Sequence, residues 1–167
     1  MNPEKFTIRS LFVLAVILFI AVLTQGTNYV NFFLVNQNLT ASFDEDKHQE
    51  ILSCDTVHLQ KEQFLTYQSN SLDTSLNKIF SISTPKVSSL YSPFYKSNLT
   101  AKTTVNTRLK VVTLNLKGDL NLISECEAPY VHSVLENSIL EFYPDYKPNI
   151  LLNGSKEDYL ELIQPVS

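Results

Sequence analysis

The sequence predicts a small α+β domain, with two helices on one face of a mostly antiparallel sheet, preceded by an N-terminal membrane helix. Three observations predict it. Apolar and polar residues alternate in "VVTLNLKGD", which is the period of a strand with one buried face. Leu72, Leu76, Ile79 and Phe80 recur at helical spacing, as do Val131, Val134, Leu135, Ile139 and Phe142. And "LFVLAVILFIAVL", Leu11 to Leu23, contains no polar side chain.

The leader comes first. Lys5 and Arg9 precede the apolar run, and basic residues on that side hold the N-terminus in the cytoplasm and send the rest across. The run is apolar on every face, unlike a surface helix. No A-x-A cleavage site follows, so an uncleaved single-pass anchor is favoured over a signal peptide, after whose cleavage the domain would be secreted. No cysteine directly follows the run, which excludes a lipoprotein anchor. Residues 1–26 are therefore the leader, residues 27–50 a stalk, and residues 51–167 the folded domain, placed outside the cytoplasmic membrane. Within the stalk, "NYVNFFLVNQNLT" keeps apolar character and "ASFDEDKHQE" is polar and charged.

In the domain, "TVHLQKEQF" alternates through Val57 and Leu59 as a short strand. The helix through Leu72 follows, with Asn70 or Ser71 as its cap and Asp73 at the positive end of its dipole. "KVSSLYSPFYKSNLT" has turn chemistry but carries Leu90, Tyr91, Phe94 and Tyr95. Those four either fold back onto the core or form a partner-binding loop, since clustered exposed aromatics mark interfaces. "LTAKTTVNTRLKVVTLNLKGD" reads as a hairpin turning at Asn106 and Thr107, with Gly118 ending its second strand. A second helix starts near Pro129, presents His132, Glu136, Asn137 and Glu141 on its polar face, and closes before Pro144. "NILLNGS" is a short buried strand, and "EDYLELIQPVS" ends the chain as an edge strand or helical turn.

This order and several local motifs resemble the GerMN domain of sporulation and spore-germination proteins. The resemblance runs roughly from Cys54 to Leu152 and rests on "SCDTV", "LDTSLNKIF", "VVTLNLKGDL", "ECEAPYVHSVLENSILEF" and "NILLNG". It implies a bacterial, extracytoplasmic, non-enzymatic domain held to a membrane and working in an envelope assembly. It also implies a fold similar to ring-building modules of secretion-like complexes. Better-known members carry two tandem copies and a lipid-modified cysteine; this chain carries one copy and no such cysteine.

Composition narrows the chemistry. The net charge is −4 and the basic residues are scattered, whereas nucleic acid needs a concentrated positive face. Glycine occurs only at Gly26, Gly118 and Gly154, so there is no glycine-rich phosphate loop. No cofactor is expected.

Cys54 and Cys126 are the only cysteines. In an exported chain two cysteines are most simply a disulfide, closing a loop of about seventy residues. A zinc site using Cys54, His58, Cys126 and His132 is the second reading, though the spacings are irregular. A nucleophilic Cys126 paired with His132 is the third, and a helix would turn the two away from each other. Asp119, Glu125 and Glu127 cluster in sequence and would serve a wall hydrolase only if a cleft split their pKa values. A solvated acidic loop is expected. The expected function is a membrane-tethered, non-catalytic interaction domain. Its partner would be an envelope protein, a second copy or cell-wall glycan; a small hydrolase or glycan-binding module is the alternative.

Overall fold

The computed structural model describes residues 13–17, 26–36, 41–44, 49–52, 57–84, 86–87, 89–123 and 127–164. Residues 13–17 are helical, with Val13, Leu14, Val16 and Ile17 exposed. The rest of the apolar leader lies outside the described residues, among which no helix is long and apolar enough to cross a membrane.

The α+β class holds, but the strands form two main sheets rather than one. The first contains β1 (Asn28–Asn36), β4 (Leu59–Thr66), β5 (Lys86–Val87) and β6 (Leu90–Tyr91), in the order β4-β1-β6-β5 and antiparallel throughout. The second contains β7 (Asn98–Asn106), β8 (Val111–Asp119) and β9 (Lys147–Leu152), with β7–β8 antiparallel and β8–β9 parallel. A separate hairpin pairs β2 (Ala41–Asp44) with β3 (Gln49–Leu52). The helices are α1 (Leu72–Phe80), α2 (Glu127–Phe142) and α3 (Lys156–Ile163). Instead of lying on one sheet face, α1 touches β1 and β7 while α2 touches β1 and β9, so the two helices join the sheets.

The largest departure from the sequence reading is β1. It falls inside the segment expected to be a stalk, yet Val30, Phe32, Leu34 and Val35 are buried in the core. Strand period 2 places Val30, Phe32 and Leu34 on one face and Phe33 and Val35 on the other, and both faces are covered. Beyond its short pairing with β6, the edge of β1 opposite β4 meets α1. There the buried Ser75 hydroxyl donates to the Asn31 carbonyl at 2.6 Å, satisfying an acceptor that no strand reaches. Stalk residues 41–44 and 49–50 are likewise paired strand, continuing to Leu52.

Local sequence accounts for the remaining elements. Ser71 caps α1, its hydroxyl accepting from the Thr74 N–H at 3.3 Å. Asp73 in the first turn accepts from the Thr103 hydroxyl, which ties α1 to β7. Val112, Leu114 and Leu116 of β8 are fully buried, as their alternation predicts. Val131, Val134, Leu135 and Ile139 are the buried stripe of α2. The β7–β8 turn spans residues 107–110, includes the expected Thr107, and is closed by the Asn106 side chain, which accepts from the Leu109 N–H at 3.0 Å; Lys110 takes a positive φ of 51° in it.

Gly118 is required where it stands. Its φ is +117°, and an added Cβ would lie 2.0 Å from the Asn98 carbonyl oxygen of the paired strand. Asn153 clasps the same residue. Its side-chain amide accepts from the Gly118 N–H at 3.0 Å and donates to the Gly118 carbonyl at 3.1 Å. The end of β9 is thereby fixed against the end of β8.

Candidate functional site

The polar face of α2 and the start of α3 bring a tyrosine, a histidine and a carboxylate together beside a groove. α3 forms because Ser155 caps it, accepting from the Asp158 N–H at 3.0 Å and donating to the Asp158 carboxylate at 2.8 Å. That helix turns Tyr159 inward until it is 2% exposed. Its hydroxyl lies 3.0 Å from Nδ1 of His132, which projects from the face of α2 opposite the core stripe. Burial, and then the negative charge of Glu136, raise the Tyr159 pKa well above the ordinary phenol value. The buried phenol therefore keeps its proton and shares a hydrogen bond with the Nδ1 edge of the imidazole. Nε2 faces the Glu136 carboxylate one helical turn on, at 3.6 Å.

These groups border a groove of about 250 Å³ between α2, β9 and α3. Pro148, Ile150 and Leu160 give it apolar walls, and Lys147 and Lys156 add cations at its rim. The Ser155 hydroxyl nearby is engaged in the helix cap. His132, Glu136 and Tyr159 thus place polar groups beside the apolar walls of the groove.

The residues singled out in the sequence are dispersed. Cys54, Cys126 and Glu125 lie outside the described residues. His58 is exposed just before β4, and its carbonyl accepts from the Asn36 N–H at 2.8 Å. Among the described residues no group of three His, Cys, Asp or Glu side chains could hold a metal ion. Asp119 is exposed at the end of β8. Glu127 corrects the reading of a solvated acidic loop: it is 2% exposed and its carboxylate accepts from the Ile123 N–H. A carboxylate there holds the chain entering α2 and suits the positive helix end. It also helps raise the Tyr130 pKa, after burial.

Of the two readings of the aromatic segment, folding back onto the core is the one seen. Leu90, Tyr91 and Phe94 are buried and Tyr95 is half-buried. Phe94 packs edge-on against Phe80 at 5.1 Å between ring centroids, and Tyr91 pairs with Val35 of β1. Three of the four are core and Tyr95 packs against it, so they do not form an exposed partner-binding loop. Tyr159, Lys147 and Lys156 were missed. The one local signal for them was "SKED", a helix cap three residues before an acidic side chain.

No family model matches the sequence, and no curated protein and no solved structure matches it either.

Proposed function

We propose that this chain is a membrane-tethered, non-catalytic interaction domain of the bacterial cell envelope, GerMN-like, with its folded body outside the cytoplasmic membrane. One observation carries the reading: an apolar run following Lys5 and Arg9 leads, within a few residues, directly into the core strand β1. A body so close to an anchor works at the membrane surface. The groove between α2, β9 and α3 receives a segment of an envelope protein that presents a carboxylate beside apolar side chains. Lys147 and Lys156 supply the complementary charge, and the Glu136 carboxylate faces His132 at 3.6 Å.

The tether is tested on the full chain in cells. It stays with membranes through alkaline carbonate, and protease added from outside digests the domain. Release by carbonate would overturn the tether. The groove is tested by photo-crosslinking from position 149. A partner crosslink that disappears in the Lys147→Glu/Lys156→Glu variant supports the site. A crosslink unaffected by charge reversal moves the partner elsewhere, and one whose product has twice the chain's mass identifies self-association.

A further inference from the structure

We infer that the end of the first sheet carrying Tyr29, Leu65 and Tyr67 is a membrane-contact surface that rests in the headgroup region of a phospholipid bilayer. The inference builds on the reading of Leu11–Leu23 as an anchor.

Three large side chains are left in solvent at one place. Tyr29 is 65% exposed, Leu65 55% and Tyr67 75%. Tyr29 and Leu65 are direct partners in the antiparallel β1–β4 register, so they share a sheet face. Tyr67 follows just beyond the end of β4, where the Asn28 side-chain amide donates to the Gln68 carbonyl at 3.0 Å and holds that chain beside β1. The antiparallel register thus brings the last residues of β4 to the first residues of β1.

Chain length says what covers this surface. Tyr29 is six residues after Leu23, and six residues reach at most about 20 Å even when fully extended. An anchored leader therefore delivers the start of β1, and the end of β4 with it, to the bilayer interface. Tyrosine is enriched there because its ring sits among the glycerol and upper acyl groups while its hydroxyl stays hydrated. At the same end but on the other side of the sheet, Thr66, Gln68, Asn77 and Lys78 border a shallow hollow of about 270 Å³. The Lys78 ammonium lies there, 5.5 Å from the Phe64 ring centroid, at the level of the lipid phosphates.

The opposite end of the sheet provides the contrast. His58, at the other end of β4, is about 23 Å along the strand from Leu65 at ~3.3 Å per residue.

The chain contains no tryptophan, so one introduced indole reports its own surroundings. Tyr67→Trp and, separately, His58→Trp are placed in the full chain and reconstituted into phosphatidylcholine vesicles. The vesicles carry bromine on the acyl chains, either near the glycerol or near the bilayer centre. The indole at position 67 is expected to be quenched most by the shallow bromines, at least about twofold more than the indole at position 58. Adding Tyr29→Ser and Leu65→Ser should reduce that quenching without changing flotation with the vesicles, which the anchor supplies. If the protein floats but position 67 is quenched no more than position 58, the contact surface is overturned and the anchor stands. If the protein does not float, the anchor fails and the inference falls with it.

Discussion

The two long antiparallel pairs, β1–β4 and β7–β8, are built from different sequence patterns. In β7–β8 one face is core and the other is water: Val112, Leu114 and Leu116 point in, and the outer strand shows Thr100, Lys102 and Thr104. A lysine and threonines keep that outer edge from recruiting a further strand. In β1–β4 the inner strand is covered on both faces, and the outer strand is guarded by Lys61 and Gln63 over only part of its length. Toward the leader the guard gives way to Leu65 and Tyr67. Other large apolar side chains are exposed elsewhere, Leu109 in the β7–β8 turn among them, but Tyr29, Leu65 and Tyr67 gather at one end of one sheet.

Truncating the core of either pair is the strongest way to break the comparison. Leu34→Ala in β1 and Leu114→Ala in β8 should each cost about 2–5 kcal/mol, read from urea unfolding midpoints. Both side chains are almost or fully buried, so equal losses would place the leader-proximal strand on the same footing as the central hairpin. A negligible loss for Leu34→Ala would return residues 28–36 to a stalk.

The next effect separates the pairs. Gly118→Ala forces a Cβ toward the Asn98 carbonyl at a positive φ, and should cost about 1–3 kcal/mol from backbone strain alone. The loss should appear first as faster amide exchange in β7 and β8, with β1 and β4 retaining their protection. Ser75→Ala acts on the other pair. It leaves the Asn31 carbonyl without its buried donor and should cost about 1–3 kcal/mol.

The smallest effect concerns the ion pair that joins β4 to α2. A hydrogen bond from Lys61 holds the Glu141 carboxyl below its ordinary range; burial opposes this, and a 2.7 Å bond from Asn31 assists. A depressed folded pKa stabilises the fold above the unfolded carboxylate pKa and ceases to do so as pH falls through the folded value. Both partners are partly exposed, so Lys61→Met should cost only about 0.2–1 kcal/mol at neutral pH. Stability curves of the two proteins should converge as the solution is acidified below about pH 4. Parallel curves would show that the pair is not the source of the shift.

The same contrast explains what could be read from the sequence. β8, α1 and α2 were legible because each buries one face, which leaves a period in the chain. β1 was not, because a strand covered on both sides has no period: "FFLV" beside an apolar leader looks like membrane. The aromatic segment left two readings open, since its burial depends on Phe80 and Val35, which are distant in sequence. The groove was hidden for the same reason. His132 was visible on the polar face of α2, but its partner Tyr159 comes from a terminal helix announced only by the Ser155 cap.

The position of β1 also sets a timetable. A chain is made from its N-terminus, so "NYVNFFLVN" emerges early, uncharged, β-prone and rich in phenylalanine. The groups that shield it come later: β4, then α1 with Ser75, then β6, and finally α2 with Glu141. Until α2 has been synthesised, the strand has no complete shelter. A nascent or truncated chain ending before residue 127 thus leaves this β-prone strand without its full cover, and a chaperone that guards the domain during synthesis has its work at the very first strand.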